Sequence, residues 1–102
     1  NRVLKVILET CYLTDEEKRL ACRMALDAKA DFVKTSTGFG SGGATLADVK
    51  LMKECVQDKA KIKASGGIRD YETAMQYVNL GVQRIGTSNG IAILKGEKGT
   101  GY

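Results

Sequence analysis

Two lysines stand in the middle of strand-like runs, Lys34 in Phe32-Val33-Lys34-Thr35-Ser36 and Lys63 in Lys61-Ile62-Lys63-Ala64-Ser65. A lysine there is either a solvated side chain on an open sheet face or an amine held for chemistry. On neighbouring strands of one face, two ammonium groups ~6 Å apart repel by about 2.8 kcal/mol at an effective dielectric of ~20, roughly two pKa units. One of the pair then titrates near ~8 instead of ~10.4 and supplies the neutral amine that Schiff-base formation with a carbonyl requires. Such a pair is a nucleophile with its activator.

After these runs come Thr35-Ser36-Thr37-Gly38-Phe39-Gly40-Ser41-Gly42-Gly43, Ser65-Gly66-Gly67-Ile68-Arg69 and Gly86-Thr87-Ser88-Asn89-Gly90. Glycine lets backbone N–H groups approach an anion, hydroxyls add donors, and a following helix N-terminus adds a favourable dipole end. The plain alternative is that loops between strands and helices need tight turns. Two such loops on adjacent units favour phosphate binding, as at the C-terminal end of many barrels.

The elements that must position these groups follow from periodicity. Strand-like runs at Val3 to Glu9, Phe32 to Ser36, Lys61 to Ser65 and Arg84 to Ser88 alternate with helical patterns. Thr14 with Glu17 forms a capping box before Leu20, Ala21, Met24, Ala25 and Ala28, which predict one buried helix face. Thr45 with Asp48 repeats the device, Asp70 caps a third helix that Gly81 ends, and a shorter helix follows Asn89. Strict alternation predicts an α/β parallel sheet with right-handed crossovers. Period two puts Lys5, Ile7 and Glu9 on one face; Phe32, Lys34 and Ser36, Lys61, Lys63 and Ser65, and Arg84, Gly86 and Ser88 do the same on the other strands. Polar strand faces disagree with a doubly wound sheet covered on both sides and suit the inside of a closed parallel barrel. An open sheet with helices on one side only is the remaining possibility. Lys5 and Glu9, four residues apart in sequence and two positions apart along one strand face, leave a pairing between them open.

Composition excludes other classes. The chain has 102 residues, 43% hydrophobic and 27% charged, which is ordinary for one globular unit. A net charge of +4 is spread singly along the chain without aromatic interleaving, so nucleic acid is not indicated. Cys11, Cys22 and Cys55 are odd in number, and with no histidine present they suggest reduced thiols, not a disulfide framework or a zinc site. No apolar run approaches membrane-spanning length and no signal-peptide pattern opens the sequence, which points to the cytoplasm.

Taken together, Asp31-Phe32-Val33-Lys34-Thr35-Ser36-Thr37-Gly38-Phe39, Lys63-Ala64-Ser65-Gly66-Gly67-Ile68-Arg69, Arg84-Ile85-Gly86-Thr87-Ser88 and the opening Leu4-Lys5-Val6-Ile7-Leu8-Glu9-Thr10 resemble deoxyribose-phosphate aldolases. The resemblance runs in order along nearly the whole chain. It implies a (β/α)8 TIM barrel of which residues 1–102 supply the last four βα units, the C-terminal half of a single domain. It implies reversible cleavage of 2-deoxy-D-ribose 5-phosphate to D-glyceraldehyde 3-phosphate and acetaldehyde, with no metal or organic cofactor. Lys34 would form the Schiff base, Lys63 would lower its pKa, and Lys5 would join the polar network. Gly66, Gly67, Gly86 and Ser88 would hold the phosphate, with Gly38 at its edge, and the terminal Tyr102 would assist proton transfer.

Two departures stand out. Asn89 replaces a serine common in relatives, and an amide still donates. The chain is about half the family's length, so the first four strands and the proton-relay aspartate have no counterpart. A start at Asn1 without methionine suggests part of a longer protein. Four strands alone leave two open edges, so the chain is expected to form a homo-oligomer or to need the missing N-terminal half. The alternatives are a noncatalytic half-barrel and a phosphate-binding module whose lysine pair is incidental.

Overall fold

The computed structural model describes residues 2–97 and residue 99. Strand and helix alternate as predicted: β1 (Lys5–Ile7), a 3-10 turn (Thr10–Tyr12), α1 (Asp15–Asp27), β2 (Phe32–Lys34), α2 (Leu46–Val56), β3 (Lys61–Ser65), α3 (Tyr71–Asn79), β4 (Arg84–Gly86) and α4 (Gly90–Leu94). Every pairing is parallel and the order across the sheet is β1-β2-β3-β4. With right-handed crossovers, a sequential order places all helices on one face. A doubly wound sheet must reverse its strand order at a switch point, and this one does not, so the architecture is an arc of a barrel.

Three strands are shorter than the runs that predict them, yet the ladder continues beyond their ends. Leu8 N–H donates to the Lys34 carbonyl at 2.9 Å, Thr10 N–H to Thr35 at 2.9 Å, and Thr35 N–H to Lys63 at 3.1 Å. The core lies between the sheet and its helices. Val33, Ile62 and Ala64 point from β2 and β3 into Val49, Met52 and Val56 of α2, and all are essentially inaccessible to water.

The helix starts follow the sequence. Thr14 Oγ1 accepts from Glu17 N–H while Glu17 accepts from Thr14 N–H, a complete capping box. Asp70 Oδ1 accepts from Thr73 N–H at 2.8 Å, and Gly81 follows α3 with a positive φ. Thr45 makes only half of the expected box: its hydroxyl accepts from Asp48 N–H at 3.1 Å, but the Asp48 carboxylate turns to Lys18, 2.6 Å away on α1.

That ion pair goes with a correction to the reading of α1. Leu20 and Met24, expected in the buried face, are 51% and 61% exposed, and Ala28 is exposed too. The face that packs holds Lys18, Cys22 and Ala25. At ~100° per residue the helix is turned by about one position from the expected stripe, which places Leu20 and Met24 opposite Cys22. Lys18 is buried because its ammonium has Asp48 to meet, and the hydrogen bond to Asp48 raises its pKa above the usual lysine value.

Candidate active site

With the helices on one face, the polar residues of each strand share the other. Lys34 on β2 stands directly across from Lys63 on β3, Lys63 across from Arg84 on β4, and Ile7 of β1 across from Lys34. One step towards the strand N-termini, Lys5 pairs in register with Phe32 and Phe32 with Lys61. The Phe32 ring is buried under three cations: Lys5 Nζ at 5.4 Å and Lys61 Nζ at 5.7 Å from its centroid, and Arg84 Cζ at 4.5 Å. An aromatic face can hold cations in this way, and here it gathers them where no strand partner is acidic.

The charge crowding acts on Lys63. Burial pushes its ammonium below the ordinary lysine value, and the charges of Lys5 and Arg84 push in the same direction. Lys5 therefore belongs to the same electrostatic group as the pair. Arg84 is a member that sequence reasoning placed on this face without giving it a role; its position one strand beyond Lys63 was readable from the two-residue period.

Beyond the strand C-termini the loops close on each other. A Cβ at Gly43 would lie 2.6 Å from the Gly66 carbonyl carbon, so the β2–α2 and β3–α3 loops touch backbone to backbone. Gly66 and Gly67 have φ of 89° and 76°, consecutive left-handed residues of the kind that form anion-binding concavities. Gly38, Gly40, Gly42, Gly43, Gly66, Gly67 and Arg69 line a cleft of about 320 Å³. Next to it, Thr87, Ser88, Asn89 and Lys95 line another of about 440 Å³. Among the described residues no hydrogen bond of the fold uses the amides of Gly38, Gly67 or Ser88, whereas Gly66 N–H donates to the Gly86 carbonyl at 3.3 Å. A larger cleft, about 530 Å³ around Phe32, Lys61 and Arg84, opens at the opposite end of the strands. Barrel chemistry collects at the C-terminal end, which makes the glycine-lined clefts the better candidates.

Gly86 answers to a second requirement. A Cβ there would stand 2.3 Å from Ser65 Oγ and 3.2 Å from Lys63 Cε, so the absence of a side chain at 86 makes room for both. Glu9 does not pair with Lys5 among the described residues; its carboxylate accepts from the Thr37 hydroxyl and from Thr37 N–H at 3.2 Å, fixing the start of the β2–α2 loop. Gly99 N–H donates to the Arg69 carbonyl at 2.7 Å, tying the end of the described chain to the rim of the glycine cleft. Tyr102 lies outside the described residues.

Four parallel βα units with amines on the inner face and glycine loops above them define part of a β/α barrel. The chain matches the DeoC/LacD family aldolase description over residues 1–96, and it belongs to that family. It is 61% identical over 94 residues to a protein from Carboxydothermus hydrogenoformans named deoxyribose-phosphate aldolase, an alignment covering 92% of this chain and 41% of the relative. A solved structure titled "QR15, an Aldolase" superposes with a TM-score of 0.85 at 52% identity, covering 89% of this chain and 41% of that one. An Aeropyrum pernix deoxyribose phosphate aldolase, described as tetrameric, superposes with a TM-score of 0.83 at 36% identity over 91% of this chain and 40% of that one. The chain thus spans less than half the length of these relatives and supplies part of their barrel.

Proposed function

We propose that this chain carries the Schiff-base half of a deoxyribose-phosphate aldolase. The observation that carries the reading is the register of Lys34 against Lys63, with the ammonium of Lys63 destabilised by burial, Lys5 and Arg84. The Lys34 amine adds to the aldehyde carbon of 2-deoxy-D-ribose 5-phosphate and loses water to give an iminium. The C2–C3 bond breaks, its electrons pass to the iminium nitrogen, and the C3 hydroxyl gives up its proton to the proton-relay aspartate of the N-terminal half as D-glyceraldehyde 3-phosphate leaves. Protonation of the remaining enamine, with Tyr102 as the assisting group, and hydrolysis release acetaldehyde and the free lysine. Lys63 keeps positive charge beside the nucleophile and favours its neutral form, and Lys5 sustains that field.

The substrate phosphate lies in the glycine-lined end, held by Gly67 and Ser88 amides with Gly38 at its edge. Gly66 shapes the turn and Gly86 clears the space beside it. No metal or organic cofactor is required. The barrel is completed by an N-terminal half, the protein is a cytoplasmic homo-oligomer, and residues 1–102 form part of a single barrel domain. The test is a coupled assay of acetaldehyde formation by the chain co-folded with the N-terminal part of the Carboxydothermus hydrogenoformans relative. Activity that disappears in Lys34→Met supports the reading; equal activity in that variant contradicts it.

A further inference from the structure

Among the described residues, Ser65 Oγ is the buried side-chain oxygen that has no hydrogen-bond partner. The residue is 0% exposed, and its backbone is fully engaged: Ser65 N–H donates to Thr35 Oγ1 at 3.1 Å and its carbonyl accepts from the same hydroxyl at 3.2 Å. Native folds rarely bury a hydroxyl without a group that comes to it. Ser65 lies two residues after Lys63 on the same face of β3, and the Lys63 amine has no ion pair or hydrogen bond among the described residues.

The two groups converge on one spot. Ser65 Oγ and Lys63 Cε are 2.3 Å and 3.2 Å from the point where a Cβ of Gly86 would stand, so they lie within about 5.5 Å of each other. The lysine amine sits one bond beyond Cε on a flexible stem, and a rotation of that stem brings amine and hydroxyl together. The charged groups facing Lys63 from the other strands are Lys34 on β2, Lys5 on β1 and Arg84 on β4, all basic. The Glu9 carboxylate at the end of β1 is held by Thr37. A neutral oxygen is what this cationic face has to offer an ammonium.

We propose that Ser65 is a positioning residue for Lys63: its hydroxyl hydrogen-bonds the Lys63 amine and holds it above Gly86, beside Lys34. The inference deepens the aldolase reading, on which it rests for the use made of the lysine pair. An acceptor favours the charged form of the amine, so Ser65 keeps Lys63 cationic in a site whose burial and neighbours work against it.

The test is an NMR titration of the Lys63 Cε signal, assigned by its loss in Lys63→Met, in the chain completed by the N-terminal part of the Carboxydothermus hydrogenoformans relative. In Ser65→Ala the midpoint falls by about one pH unit, and in Ser65→Cys, whose sulfur is a weaker acceptor, it falls by less. Far-ultraviolet circular dichroism confirms the fold of each variant, and either variant alone decides the matter. A midpoint unchanged or raised in the folded variant overturns the proposal. Borohydride trapping of the unmodified protein separates the two readings: trapping at Lys34 with an unmoved Lys63 midpoint removes only the role of Ser65, and a shifted midpoint without trapping removes only the aldolase.

Discussion

Replacing Gly86 with alanine probes the inner face where its packing is tightest. The new methyl would stand 2.3 Å from Ser65 Oγ, 3.0 Å from Ser65 Cβ and 3.2 Å from Lys63 Cε. The lysine stem can yield and the Ser65 hydroxyl can turn about its Cα–Cβ bond, but Ser65 Cβ is carried by a backbone whose N–H and carbonyl both bond the Thr35 hydroxyl, so it moves only with the strand. Overpacking of this kind costs about 2–3 kcal/mol. Ser65→Gly removes both of the closest atoms, so Gly86→Ala in that background should cost about 1–2 kcal/mol less, a coupling measurable by a double-mutant cycle in urea unfolding. Additive costs in the cycle would refute the steric account, and equal stability of Gly86→Ala and the parent would show that the strand shifts freely at this position.

Removing Lys18 with Lys18→Met leaves the Asp48 carboxylate buried without its 2.6 Å partner and should cost about 3 kcal/mol by urea unfolding, most of it recovered in Lys18→Met/Asp48→Leu. Lys63, whose folded pKa is lowered, binds its proton more weakly folded than unfolded. Stability should therefore rise with pH between that lowered value and the unfolded value near 10.5, and Lys63→Met should flatten this rise and be the more stable form below the window. Burial pushes the Cys22 thiol up to about 12, so iodoacetamide at pH 8 should alkylate the partly exposed Cys11 and Cys55 while Cys22 reacts only on unfolding, as read by peptide mass mapping.

The order of elements and the two faces of each strand were legible because both rest on local rules. Alternation with period two assigned Lys5, Lys34, Lys63 and Arg84 to one side without any tertiary information, and the caps at Thr14 and Asp70 satisfy backbone N–H groups within three residues. What escaped the sequence depends on residues far apart along the chain. The face of α1 is fixed where Lys18 meets Asp48, thirty positions on, so periodicity alone favoured Leu20 and Met24. Glu9 was spaced for Lys5 but reaches Thr37 after the chain has returned through β2. The Phe32 cage and the dependence of Gly86 on Ser65 likewise appear only when register aligns the four strands.

The central claim is that Lys34 is the amine that attacks the aldehyde. It is tested most directly by borohydride reduction in the presence of acetaldehyde, followed by intact-mass and peptide analysis, on the chain alone and on the chain joined by the N-terminal part of the Carboxydothermus hydrogenoformans relative. The account predicts one ethyl adduct, on Lys34, in the completed barrel, and its loss in Lys34→Met. An adduct confined to Lys63 or Lys5, or none in a folded completed barrel, would contradict it.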